Sequence, residues 1–377
     1  MSAPCILREE YRTAESFGFE AGEHRDTGAI TVLSMSWPFA PPLKPMKAKV
    51  KEDPPRPPGW VYEPKWVGFR MIAWGGPDPR LDSRNGKPLL RYFPELEPAL
   101  AQLPDGTVVD GEVVVVVEGV TQFDMLQLRI HPAASRVEKL SEEIPAELVI
   151  FDLLADQGED LRSVGYTERR ARLERLSDGL EFPWHLTPAT TDFETASRWF
   201  VEYEGAGCDG IICKQPDGVY REDKRDWIKW KHRRDADCVV GGYRVHKDGD
   251  KIGSILLGMY TDEGDLHFIG HCSGFTNQDR VAILQQLEQI RTEESFGAGG
   301  GDVRRPGGES RWSGGKDLSW IPVEPGVVVQ VSYDQLEGGR FRHATRFERW
   351  RPDKPPSECT MDQLIRPSGS TFSEVVA

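Results

Sequence analysis

The run TVVDGEVVVVV, residues 107–117, decides the fold. It is β-branched, short and unbroken by proline, which suits a buried strand. ELVIFDLLA (147–155) and DGIICK (209–214) have the same character. Helical periodicity lies between them. TERRARLERL (167–176) places Ala171, Leu173 and Leu176 near one face, and FETASRWFVEYEGAG (193–207) ends in glycines suited to a helix stop. Residues 61 to about 235 therefore read as a mixed helix-and-strand domain.

After KHRRDAD (231–237) the pattern changes to alternating strands: DCVVGGYRV, then SILLGMY and LHFIGHCS around the turn TDEGD, and later VVVQVSY. One helix interrupts them. FTNQDRVAILQQLEQI (275–290) carries Val281, Leu284, Leu287 and Ile290 at a spacing of three, with Thr276 or Asn277 as its cap. Four or more strands and one helix in about 130 residues suggest a small barrel of the OB type. The glycine-rich segment GAGGGDVRRPGGESRWSGG (297–315) predicts a mobile loop. Residues 1–36 read as a loose tail, followed by an extended, proline-rich lead-in over 37–60.

The 377 residues are enough for two or three domains at roughly 100–200 residues each, and 38 % of them are apolar. With 47 basic and 61 acidic residues, the net charge of −14 repels nucleic acid and anionic membranes at long range. A polyanionic partner must therefore meet a local basic surface. Cys5, Cys208, Cys213, Cys238, Cys272 and Cys359 show no zinc-ligand spacing or disulfide framework, which fits a reduced cytoplasm. The first thirty residues lack the apolar core of a signal peptide, and no window reaches the ~18 apolar residues of a membrane span.

Chemistry concentrates in a few places. In YEPKWVGFR (62–70), Lys65 sits between a proline and Gly68, with Trp66 and Phe69 limiting water; a surface lysine on a strand is the plain alternative. WIKWK (227–231) sends Lys229 and Lys231 to one strand face, where an anion such as phosphate would relieve their repulsion; an edge strand guarded by lysines reads equally well. Glu112 and Asp209 stand beside glycines at strand entrances. They could hold Mg²⁺ or Mn²⁺ if phosphates supplied the remaining ligands, although Asp-Gly is also an ordinary turn. Phe151 is a core residue with a possible base-stacking role. RFRHATRFERWRPDK (340–354) gathers six Arg or Lys side chains, suited to phosphate or to a solvated surface tied to Glu348 and Asp353.

Taken in order, PPLKPMKAKV, EPKWVGFR, SRNGKP, RYFPEL, VVDGEVVV, FDLL, DGIICK, WIKWK, SRWSGGKDLSW and RFRHATRFERWRPDK resemble the ATP-dependent DNA ligases, within the covalent nucleotidyltransferases. The likeness covers about residues 41–365 and is nearest to the compact actinobacterial C type. It implies an α+β fold, with a nucleotidyltransferase (ATP-grasp-like DNA ligase) core at 37–235 and an OB-fold β-barrel domain at 236–365. Residues 1–36 and 366–377 would be tails, with a hinge near Arg233 to Asp237. The resemblance makes Lys65 the nucleophile that takes AMP from ATP. It places Glu63 on the adenine, Arg70 and Arg84 on ribose or phosphate, Glu112 on ribose or metal, and Phe151 on the base. Asp209 would help hold the metal, Arg225, Lys229 and Lys231 would surround the α-phosphate, and Arg351, Asp353 and Lys354 would meet the β,γ-phosphates. The implied substrate is nicked double-stranded DNA, handled by a cytoplasmic, nucleoid-associated monomer in DNA repair, with a repair polymerase or an end-binding protein as partner and no membrane.

One position departs from the family pattern. The ligases carry Asp two residues after the nucleophilic lysine, where this chain has Val67. Strand alternation would put that side chain beside Lys65, and valine neither accepts a hydrogen bond nor carries charge. A buried polar partner left unpaired would cost about 1–3 kcal/mol. The alternative function is therefore a catalytically weakened relative acting as an ATP- or nick-binding module.

Overall fold

The valine run becomes the strand Val108–Val117, central in a seven-stranded sheet of a computed structural model that describes residues 37–297, 303–307, 318–334, 336–364 and 368–376. Phe69–Trp74 and Ala146–Asp156 flank it antiparallel. Alternation sends Val109, Val113 and Val115 into one core with Met71, Leu148 and Ile150, while Val108, Ile72, Trp74 and Phe151 enter another. With both faces covered, a strand without polar alternation is at home.

A second sheet orders Ala48–Lys51, Trp227–Trp230, Ile211–Lys214 and Val61–Pro64. Tyr62, Ile211, Cys213 and Ile228 form one apolar face, packed with Ala196 of the helix Phe193–Glu202. Asp192 caps that helix by accepting from Thr195 N at 2.9 Å. Glu63, Ile212, Lys214, Trp227 and Lys229 lie on the opposite face, toward the first sheet.

The strands Arg234–Val245, Ile252–Tyr260, Leu266–Cys272, Val328–Tyr333 and Arg346–Trp350 build a third sheet. Its outer strands approach each other where Thr345 N donates to His271 O at 2.9 Å, so the sheet curls into a barrel. The helix Asn277–Glu288 follows the third strand and covers the barrel core with Ile283 and Leu287. Thr276 is its cap.

Several expectations change. Val281 is exposed, because three residues advance a helix by about 300° and a strict spacing of three slips half a turn in three steps. Ala171 is also exposed. The helix Tyr166–Ser177 turns Arg169 inward instead, where the Asp152 carboxylate receives its fork at 2.7 and 3.0 Å. The lead-in is not merely extended: Leu43 and Met46 are buried, and Ala48–Lys51 pairs parallel with Trp227–Trp230. Residues 368–376 are no loose tail, since Phe372 and Val375 are buried in the core.

The glycines beside Lys65 and Asp209 admit the chain's own backbone. A Cβ on Gly68 would lie 2.3 Å from Val113 O, and one on Gly210, at φ +110°, would lie 2.1 Å from Trp230 O. The expected tail at 1–36 and most of the segment 297–315 lie outside the described residues.

Candidate active site

Strand register builds the site before any side-chain detail. Arg70 lies directly opposite Glu112 across two strands of the first sheet. Glu63, Ile212 and Lys229 form one row across three strands of the second. The two rows face a cleft of about 620 Å³, also lined by Lys65, Arg84, Phe151, Lys214, Arg225 and Trp227. Arg84 and Arg225 are exposed at its edge.

Lys65 belongs to no strand. It follows Val61–Pro64, and its backbone is tied on both sides: its N donates to Gly210 O at 2.9 Å, and Asp209 N donates to its O at 2.8 Å. The Lys65 Nζ then reaches Asp209 Oδ2 at 3.0 Å. Lys231, just beyond the strand Trp227–Trp230, approaches the same oxygen at 3.1 Å and the barrel's Asp334 at 3.0 Å. Burial alone would raise the Asp209 carboxyl, but Lys65 and Lys231 outweigh it and hold the group below the usual carboxylate range. Burial pushes the Lys229 ammonium down, and Lys65 and Lys231 push it further.

On the opposite wall, Arg70 forks onto Asp110 through Nε and Nη2, each at 2.5 Å. Its guanidinium lies 4.6 Å from the Phe151 ring centre and 5.1 Å from that of Trp227. The Tyr220 hydroxyl donates to Asp110 at 2.6 Å, completing the acid's surroundings. Glu112 is different. Burial pushes its carboxyl up to about 7 against the pull of Arg70 and Lys65, and its Oε2 is buried without a hydrogen-bond partner among the described residues.

Glu63 reaches the cleft already paired. Lys214 Nζ lies 2.8 Å from its Oε2, and the Tyr166 hydroxyl donates to its other oxygen. Lys214 also donates to Phe151 O at 2.7 Å and lies 4.6 Å from the Trp227 ring centre. Sequence reasoning missed Lys214, Trp227, Asp110 and Tyr220. For Lys214 the signal was present, because alternation from Ile212 aims it at the cleft.

The three residues predicted to meet the β,γ-phosphates, Arg351, Asp353 and Lys354, are elsewhere. Arg351 donates both 2.9 Å bonds of one nitrogen to the two oxygens of Asp237, and Lys354 lies 3.4 Å from the same carboxylate. That one barrel acid holds both cations, and neither lines the cleft. Arg351 also pairs with Asp353, and Glu348 with Arg233, so part of this basic run is tied to its own acids.

Val67 also departs from expectation. Residues 65–67 are not strand, so alternation fails, and Val67 lines a second cavity of about 420 Å³ with Asp124, Asp209, Arg234 and Arg342. No buried donor lining this cavity is orphaned among the described residues, because Arg234 pairs with Glu204; the orphaned atom is an acceptor, Asp209 Oδ1.

Residues 41–231 match the ATP dependent DNA ligase domain, and 248–354 match the ATP dependent DNA ligase C terminal region. The chain is 46 % identical over 349 residues to DNA ligase C2 of Mycolicibacterium smegmatis, covering 89 % of this chain and 98 % of that one. It is 45 % identical over 358 residues to DNA ligase C of Mycobacterium tuberculosis, covering 91 % and 99 %. A structure from a study of Lig E DNA ligases superposes with a TM-score of 0.53 at 15 % identity, covering 83 % of this chain and 100 % of that chain, which supports the fold. These matches do not favour the weakened-relative reading raised by Val67. The chain belongs to the ATP-dependent DNA ligases, and within them to the C type.

Proposed function

We propose that this ligase binds ATP in the cleft between its two core sheets and that Lys65 is the nucleophile of its first step. The observation that carries the reading is Lys65 Nζ on Asp209 Oδ2 at the cleft, with Lys229 and Lys231 beside it. In that step a bond forms between Lys65 Nζ and the α-phosphorus, the bond to the departing pyrophosphate breaks, and Nζ gives up its proton. Phe151, Arg70 and Trp227 offer a stacked wall for the base, while Glu63 and Lys214 present a fixed polar edge. Arg84, Arg225 and Lys229 line the cleft and, with Lys231 behind them on Asp209, supply the positive charge that α-phosphate oxygens need as charge builds. AMP then passes to the 5′-phosphate of nicked duplex DNA, and the neighbouring 3′-hydroxyl displaces it to seal the nick.

Mg²⁺ or Mn²⁺ fits this donor set. Glu112 lines the cleft and Asp209 the neighbouring second cavity; Glu112 Oε2 and Asp209 Oδ1 are buried acceptors without partners among the described residues, and one or two carboxylates suffice when phosphates complete the shell. When bound, the cation would balance phosphate charge. Arg351 and Lys354 would leave Asp237 and meet the β,γ-phosphates when the barrel turns. The protein would act as a monomer in DNA repair beside a polymerase or an end-binding protein. A relative named "Multifunctional non-homologous end joining protein LigD", from Pseudomonas aeruginosa, supports that role at 34 % identity over 337 residues, 37 % of its length. A cytoplasmic, nucleoid-associated site of action fits the reading.

Incubation with ATP labelled at the α-phosphate, then with nicked duplex, tests it. Covalent label on Lys65 that chases into sealed DNA is expected; label that survives Lys65→Ala would move the nucleophile elsewhere.

A further inference from the structure

The linker after Val61–Pro64 sends three successive side chains to three places. Lys65 faces the cleft, Val67 lines the second cavity, and Trp66 borders the cleft while packing into a separate apolar core. That core joins Val114, Val149, Ala206 and Cys208 to Phe372 and Val375, more than three hundred residues downstream. The Phe372 ring meets Trp66 edge-on at 5.4 Å, while Trp66 Nε1 donates to Thr187 Oγ1 at 2.9 Å.

The segment 368–376 is built into the core rather than laid on it. Ser370 N donates to Glu202 O at 3.0 Å, and Phe372 N donates to Gly119 O at 2.6 Å. A Cβ on Gly369 would lie 2.1 Å from Glu202 O, so the two main chains touch only because that residue is glycine. Thr371 N donates to the Glu374 carboxylate at 2.7 Å and closes the start of the helix Phe372–Val376. Lys65 is held by its two backbone bonds to Gly210 and Asp209, and the anchoring of Trp66 fixes the chain on its C-terminal side.

We propose that residues 368–376 are a positioning element for the nucleophile, fixing Trp66 and through it the approach of Lys65 to the α-phosphate. The proposal rests on Lys65 being the nucleophile. Trp66 borders the ATP cleft, but none of residues 368–376 lines it. They therefore act on the rate of lysyl-AMP formation and leave ATP affinity alone. A displacement of ~1 Å at a reacting atom can lower a rate by as much as ~10²-fold.

Single-turnover labelling with α-labelled ATP, over a range of ATP concentrations, separates the two quantities. Phe372→Ala should lower the maximal rate about tenfold with the half-saturating ATP concentration unchanged, and Phe372→Leu should recover most of the loss. A chain lacking residues 368–377 should regain its rate when that peptide is added in trans. A maximal rate unaltered by Phe372→Ala despite a lower melting temperature overturns the proposal, as does a loss that appears wholly in ATP affinity. If the deleted chain does not fold, the Phe372→Ala and Phe372→Leu pair alone decides. Label found away from Lys65 in the unaltered protein instead overturns the nucleophile assignment, before any variant is compared.

Discussion

Lys65 Nζ lies 3.0 Å from Asp209 Oδ2, and the other oxygen of that carboxylate is buried without a hydrogen-bond partner. One oxygen thus gathers two lysines while its twin stays available. Asp209→Asn removes the charge that lets Lys65 and Lys231 approach each other and halves the carboxylates offered to a divalent cation. Adenylation at saturating ATP should fall by about 10²–10³-fold, with a raised Mg²⁺ requirement, in a single-turnover assay titrated with metal. A rate within threefold of the unaltered protein would count against the role of Asp209.

Glu112 makes stability depend on pH. Its carboxyl is held up at about 7 in the fold, against an ordinary 4.5. Below the ordinary value it is protonated in folded and unfolded chains alike. As pH rises from there through about 7, the unfolded chain ionises first, so the stabilising contribution of the folded, protonated group is lost. Without divalent metal, Glu112→Gln should raise the melting temperature relative to the unaltered protein at pH 8 and not at pH 4.5. A difference independent of pH would contradict this origin.

Asp152 and Arg169 form a fully buried pair behind Phe151. Arg169→Ala leaves the acid without its fork and should cost about 3–5 kcal/mol in urea unfolding. The double change Asp152→Leu with Arg169→Met should recover much of that loss, because two apolar groups need no counter-charge.

Asp237 holds Arg351 and Lys354 on the barrel. Asp237→Asn weakens that competition and should lower the ATP concentration giving half-maximal labelling by roughly threefold, since a partly exposed ion pair is worth about 1 kcal/mol or less. Arg351→Ala should slow labelling while leaving the sealing of a pre-adenylated nick intact, as followed on a gel.

Affinity for nicked duplex should fall steeply with salt, the logarithm of the association constant declining linearly with that of salt concentration. A flat dependence in fluorescence anisotropy would exclude phosphate contacts as the main source of binding on this acidic protein.

Much of this architecture was legible because local rules and tertiary packing agreed. The valine run, the alternation of WIKWK and the Thr276 cap each keep one meaning in isolation and in the fold. Glu112, Phe151 and Lys229 converge because their strands do, and Lys65 joins them just past the end of Val61–Pro64. Other features escaped because distant partners decide them. Arg169 turns inward for Asp152, Lys214 is buried by Glu63, and Ala48–Lys51 is a strand because Trp227–Trp230 lies beside it. Val67 misled because periodicity was applied to three residues that make no ladder.

The chain quits its two-sheet core after Trp230, builds the barrel, and rejoins the same core at Ser370 and Phe372. In topological terms the barrel is an insertion rather than an appendage. While Phe372 stays seated, a single cut in either connection would leave the barrel joined by the other, and its swing must obey two fixed points of attachment instead of one.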